Sequence, residues 1–168
     1  MTEQAAAAPL LQYQLEMLKL ETQVANETIR QMDDISKNLK EWAITVWAAG
    51  VGGALVTKPL AAYVSMTAVV PLLFWLVDTQ HHVIQRKFIW RVLRLCDFLN
   101  GEALETSLAA GRLVGFSVMD LSSRRERSAE YHQFIRFERI ACFPTLSILY
   151  GGLTLMSLGL GVLTWWWQ

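Results

Sequence analysis

Cysteine, histidine and helix-breaking residues are all scarce in this chain. The two cysteines, Cys96 and Cys142, stand far apart and in no CxxC pair. That excludes a disulfide framework and a zinc-ribbon spacing, and leaves two free thiols with packing roles. Of the three histidines, His81 and His82 are neighbours. Successive residues of a helix diverge by about 100°, so the pair cannot ligate one metal as an i, i+4 pair would, and interfacial hydrogen bonding is its expected role. No Ser/His/Asp or Cys/His order and no glycine-rich phosphate loop is present; Gly50, Gly52 and Gly53 lie inside an apolar run. Neither a metal nor a cofactor is expected.

Charge is the most informative absence. From Trp42 to Val77 the only charged side chain is Lys58, and from Ile140 to Trp167 there is none. With 53% hydrophobic residues, seven Trp and a mean hydropathy of +0.28, so small a chain is too apolar for a water-soluble domain. The runs lack the charged relays of pumps and ion-coupled transporters, so active transport is not expected, and their polar groups are hydroxyls such as Thr45, Ser65, Thr67, Thr154 and Ser157.

What is present predicts an all-α integral membrane protein with three transmembrane helices whose long cytoplasmic extensions form a helical bundle. Residues 1–9 read as a disordered tail, 10–41 as a cytoplasmic heptad helix, 42–77 as a transmembrane hairpin, 78–139 as a cytoplasmic helical region and 140–168 as the third transmembrane helix. Trp42–Thr57 amounts to about 24 Å of helix and Pro59–Val77 to about 28 Å, against a hydrocarbon core of about 30 Å. Each arm just spans, turning at Thr57–Lys58–Pro59. Every Lys and Arg except Lys58 lies on one side of these spans, which makes that side cytoplasmic and puts the C-terminus opposite. Met1–Pro9 has neither a basic nor an apolar signal-peptide region, so the N-terminus is expected to stay cytoplasmic.

From Leu11 the apolar positions alternate by four and three through Leu15, Leu18, Thr22, Ala25, Ile29, Met32, Ser36 and Leu39, a heptad seam that either packs on its own chain or self-associates. Past Val77 the helix is expected to run on to an Asn100–Gly101 C-cap, with Ile84, Phe88, Val92, Leu95 and Leu99 on one face and Arg86, Lys87, Arg91 and Arg94 on others. Glu102–Gly111 reads as a short helix and Gly111–Leu121 as a connector. Ser123 and Glu126 fit a capping box that starts a last helix running into the membrane, with a kink near Pro144. Trp165, Trp166 and Trp167 form its far-side anchor. Ala49/Gly53, Ser147/Gly151 and Ser157/Gly161 are small residues four apart that permit close helix packing.

Counting along each helix from the membrane places Asp33 and Asp34 about 12–14 Å below the surface and Arg86 and Lys87 about 14–15 Å below it on an antiparallel neighbour. The acids and bases therefore form an expected ion-pair layer, with Glu27 facing Arg91 a turn further down. The basic cluster also suits anionic headgroups. A pI near 6.8 and the lack of a recognition module argue against nucleic acid.

Two resemblances bear on function. Arg127 and His132 have the R-x4-H form of the HEPN ribonuclease motif, which would imply that this pair promotes attack by a ribose 2′-hydroxyl. The layout of Leu10–Leu99, a cytoplasmic helix, a tight hairpin and a helical extension, resembles SLATT-type membrane effectors of bacterial anti-phage systems. That resemblance implies a homo-oligomer in the bacterial inner membrane that permeabilises the lipid bilayer when a cytoplasmic protein partner signals. The third span departs from that layout. The alternatives are a structural or adaptor subunit of a larger membrane complex and a membrane-tethered ribonuclease.

Overall fold

A computed structural model describes the backbone of residues 2–56, 58–123 and 126–166 and the side chains of residues 9–56, 63–123 and 126–166. The chain is all-helical, with no strand among the described residues. Helix α1 (Thr2–Val56) is followed by a 3₁₀ helix (Lys58–Ala68), α2 (Val69–Asn100), α3 (Glu102–Ala110), α4 (Ala129–Phe134), α5 (Phe137–Ala141) and α6 (Pro144–Trp166). No Pro or Gly lies between Leu10 and Gly50, which lets α1 run through without a break, and the helix begins at Thr2, within the segment expected to be a tail. Two compact units result: Met1–Gln31 with Ile84–Ile135, and Met32–Val83 with Arg136–Gln168. Helices α1 and α2 contribute to both.

In the first unit the heptad seam is occupied by the chain itself. Leu18 forms a buried core with Leu95 and Phe98, against which Leu15, Leu104, Leu113, Phe116 and Val118 pack. Leu11 and Ala25 continue the same buried stripe. The α2 face is rotated from the expected one, because Arg91 and Phe98 are buried while Ile84 and Leu99 are exposed. Helix α2 ends at Asn100 as expected, but Gly101, at φ −104°, is the N-cap of α3 instead of a left-handed C-cap. The left-handed cap is Gly111, at φ 65°, whose N–H bonds to the Leu108 carbonyl and closes α3.

In the second unit the core is Ala43, Ile140, Leu146 and Tyr150, packed by Phe74, Trp75, Val83, Phe143 and Leu149. Helix α6 turns Leu146, Tyr150, Leu153, Ser157 and Gly161 inward and leaves Ile148, Leu155, Val162, Trp165 and Trp166 exposed. Trp167 lies outside the described residues, as does the Thr57 turn residue. Where an α-helical second span was expected from Pro59, the chain is 3₁₀ as far as Ala68. This form rises about 2.0 Å per residue, so the segment advances further than α-helix of the same length. Thr67 Oγ1 returns a hydrogen bond to the Val64 carbonyl at 2.6 Å within it.

Among the described residues two helical stretches, Tyr63–Asn100 and Ala129–Trp166, are long and apolar enough to cross a membrane. The expected third, Trp42–Thr57, is not: the uncharged end of α1, Trp42–Val56, is only about 22 Å long, short of a hydrocarbon core of about 30 Å. The last helix is also not one rod. Its N-cap is Ser128, which accepts from the Tyr131 N–H at 3.2 Å, whereas Ser123 stands at φ 51° in a turn that bonds Glu126 N–H to its carbonyl. Breaks at Ile135–Arg136 and Cys142–Phe143 then separate α4, α5 and α6, and Pro144, lacking an N–H, takes the first position of α6.

Of the small-residue pairs, Ser157/Gly161 is the one in tight contact. A Cβ on Gly161 would lie 2.7 Å from Ser65 Cβ, while one on Gly53 or Gly151 meets nothing within 4 Å. Ala49 is exposed and Ser147 half-buried. Gly161→Ala is therefore expected to cost about 1–3 kcal/mol through overpacking, and Gly53→Ala to be neutral or stabilising by up to about 1 kcal/mol. Unfolding of both variants in detergent checks the contrast; equal stability would contradict the Ser65 contact.

Candidate functional site

The apolar second unit encloses a fully buried carboxylate. Asp78, on α2, has 0% exposure. Its Oδ1 accepts from Ser36 Oγ at 2.6 Å and its Oδ2 from the Tyr150 hydroxyl at 3.0 Å. Lys40 Nζ lies 3.3 Å from Oδ2 and supplies the balancing charge. The same ammonium donates to Ser36 Oγ at 2.5 Å, so the serine passes a hydrogen bond from the cation to the anion. His82, one turn along α2, puts Nε2 3.3 Å from Ser36 Oγ and 3.7 Å from Asp78 Oδ1. Three helices thus converge on one carboxylate: α1 through Ser36 and Lys40, α2 through Asp78 and His82, and α6 through Tyr150.

The local cause is periodicity. Ser36 and Lys40, like Asp78 and His82, are i, i+4 pairs, so each helix presents two polar groups on one face. A buried carboxylate is tolerated only when paired and hydrogen-bonded, and this one has a cation and two hydroxyl donors. Two turns further along α6 a second polar layer follows. There Ser157 Oγ accepts from Trp47 Nε1 at 2.7 Å and lies 3.1 Å from Thr67 Oγ1. The cluster ties three helices together at one level through a shared carboxylate.

Asp78 adjoins the apolar run Trp42–Val77 without interrupting it. Its sequence position, directly after Val77, reads as a surface residue, and only tertiary packing encloses it. A signal was there, however: Ser36 is, with Thr22, one of two polar interruptions of the seam. The histidines divide, His82 joining the cluster while His81 Nδ1 is buried with no hydrogen-bond partner among the described residues. Both cysteines are free, and both are exposed instead of packed.

The first unit holds its own buried ion pair. Glu21, 3% exposed, receives Arg91 Nε at 2.7 Å and the Met119 N–H at 2.8 Å. Arg91 also donates to the Ser117 carbonyl and lies over the Phe116 ring, 4.3 Å from its centroid. Gln14, two turns before Glu21, accepts the Leu113 N–H, and Ser107 Oγ accepts that of Val114. These side chains satisfy the backbone of the connector after α3, in which Gly115 and Met119 have positive φ. Arg91 is thus paired with Glu21, while Glu27 pairs with Arg30 on its own helix.

Asp33 and Asp34 are exposed residues of the second unit. Arg86, in the first, donates to the Phe134 carbonyl at 2.9 Å and lies over that ring; Lys87 is half-buried. Arg94 is 3.7 Å from Glu126. Arg127 is exposed just before the Ser128 cap, and exposed His132 lies within α4. The Ser128 N–H, and then its hydroxyl and Arg94, hold the Glu126 carboxyl below its usual range. A lowered folded value means this cap contributes stability above the ordinary carboxylate pKa and loses it as pH falls through the lowered value. Hydrogen exchange at Ser128 should accordingly accelerate, relative to the intrinsic rate, as the solution is acidified through that range, and Glu126→Gln should abolish the trend.

No family model, curated protein or solved structure matches this chain.

Proposed function

We propose that the chain is a homo-oligomeric membrane protein that acts by assembling or opening in the bilayer, with its first unit as the cytoplasmic control surface. The observation carrying this reading is a buried charged knot, Asp78 with Lys40, inside a unit that leaves long apolar stretches exposed. The two long apolar stretches are only 28% and 22% buried over their most apolar windows. A core helix of a soluble protein would be mostly covered. Leu72, Leu73, Leu76, Ile148, Leu155 and Val162 instead face outward, as lipid contact requires. An ionisable residue at such a place is a functional site by default, because its cost is tolerated only for a purpose.

In this reading Tyr63–Asn100 and Ala129–Trp166 enter the bilayer and the apolar end of α1 accompanies them. The Asp78 knot keeps the bundle closed. Since α1 and α2 belong to both units, a partner that shifts either helix in the cytoplasm can pull on Ser36, Lys40 or Asp78. The resemblance to anti-phage membrane effectors agrees with this reading.

Liposomes loaded with a self-quenched dye test the activity. Wild-type protein should leak slowly and Asp78→Asn faster, and no leakage from either would overturn the opening mechanism. The mass of the detergent-solubilised particle should exceed that of one chain, and a monomer would remove the oligomer. Reporter fusions at Asn100 and after Gln168, which bracket the Ala129–Trp166 stretch, should report opposite sides, with Asn100 cytoplasmic; a cytoplasmic C-terminus would overturn the orientation.

A further inference from the structure

Between α2 and the connector after α3 the first unit holds a polar cavity of about 180 Å³. Arg91 and Arg94, three residues apart on one face of α2, form one wall, and Phe116, Asp120, Ser123 and Glu126 form the other. The connector bends round it by taking the left-handed conformation three times, at Gly115, Met119 and Ser123. Ser123 is held there by its N–H on the Asp120 carbonyl at 2.9 Å and by the Glu126 N–H on its own carbonyl at 3.1 Å. A residue with a Cβ disfavours that backbone, so specific bonds maintain the shape of this wall.

Several groups on the two walls have bonding capacity left over. Ser123 is 4% exposed, and its hydroxyl makes no hydrogen bond among the described residues. Arg91 directs Nε to Glu21 and Nη2 to the Ser117 carbonyl, which leaves Nη1 unbonded among those residues. Arg94 is 55% exposed at its side chain, with Nε 3.7 Å from Glu126 Oε2. That is beyond hydrogen-bond reach, so its terminal nitrogens are available to a ligand.

Charge selects among ligands. Glu21 balances Arg91 from outside the cavity, so the charges presented to its interior are Arg94 on one wall and Glu126 with Asp120 on the other. A simple anion would meet two carboxylates, and a simple cation two guanidinium groups. A zwitterion laid antiparallel to the Arg94–Glu126 pair puts each of its ends on the opposite sign, as charge-assisted hydrogen bonds require. At about 30 Å³ per water the cavity has room for about six water-sized groups, the size of alanine. We propose that this cavity binds a small α-amino acid as its zwitterion, the carboxylate on Arg91 Nη1, Arg94 and the Ser123 hydroxyl and the ammonium on the Glu126 side. The site lies wholly in the first unit, stands independently of the membrane reading, and supplies the control surface of that reading with a small-molecule input.

Full-length protein in detergent, dialysed to equilibrium against radiolabelled L-alanine, tests the site. Binding should saturate and glycine should displace the label. Acetate and methylammonium should each compete about tenfold more weakly, because each lacks one of the two charged ends, and L-phenylalanine should fail because its side chain exceeds the cavity. Arg94→Gln and Glu126→Gln should each weaken binding about tenfold. Saturating alanine should slow amide hydrogen exchange at residues 115–123 and leave residues 144–166 unchanged. Absence of saturable binding, or protection confined to other segments, would overturn the site. Acetate competing as well as glycine would overturn the zwitterion in favour of an anion site, and methylammonium doing so would overturn it in favour of a cation site. The competition series uses the wild-type protein, so misfolding of either variant cannot rescue the proposal.

Discussion

Asp78→Ala is expected to destabilise the second unit by about 3 kcal/mol, the lower end of the cost of breaking a buried ion pair. The lower end applies because Lys40 is 29% exposed and its ammonium can turn to water once the carboxylate is gone. The Ser36 and Tyr150 hydroxyls have less freedom, since both residues are buried. Asp78→Asn keeps an acceptor for one hydroxyl and should cost less, about 1–2 kcal/mol. Lys40→Met leaves the carboxylate enclosed without its cation and should be more damaging than removing both charges together. The double variant Asp78→Asn with Lys40→Met should therefore recover part of the loss, with a coupling of about 0.5–3 kcal/mol. Thermal or detergent-titrated unfolding of the four proteins measures this cycle. Additive effects would mean that Lys40 and Asp78 do not interact, and an Asp78→Ala protein as stable as wild type would remove the knot from the account.

Glu21→Ala is expected to open the connector after α3 and to cost about 3–5 kcal/mol. Arg91 is only 9% exposed at its side chain, so it has little access to water as a substitute partner, and the Met119 N–H loses its acceptor as well. Glu21→Gln keeps an acceptor without the charge and should fall between. Because the connector is held by Glu21, Gln14 and Ser107 instead of by its own hydrophobic contacts alone, its loss should be local. Limited trypsin digestion should cut first after Arg112 in the variant, with the second unit still intact. Unchanged cleavage at Arg112 would show that the Phe116 and Val118 contacts suffice to hold the segment.

The two replacements probe features that differ in how far they can be read from residue order. Local regularities determine a great deal. The absence of Pro and Gly from the middle of α1 permits a single long helix, the four-three alternation from Leu11 to Leu39 names its inward face, and Gly111 ends α3 because it takes the left-handed conformation without a Cβ penalty. These are properties of neighbouring residues, and periodicity carries them. The apolar runs likewise mark which part of the chain is unsuited to water.

Tertiary structure decided what the polar residues do. Asp78 and Glu21 look like surface acids in sequence, and each becomes buried because a cation and hydrogen-bond donors from distant segments meet it. Asp78 is 38 residues from Lys40 and 72 from Tyr150 along the chain. No periodic signal spans such distances. The break between α5 and α6 has the same origin: the Ala141 carbonyl left by the interruption is satisfied by Trp75 from another helix, so a geometry that is costly locally becomes tolerable in the packed unit. The 3₁₀ stretch is set against α6 in the same way, by the approach of Gly161 to Ser65. Order along the chain determined the helices and their apolar faces; burial of charge depended on which faces met, because the desolvation cost of a carboxylate is offset only by partners that folding brings within hydrogen-bond reach.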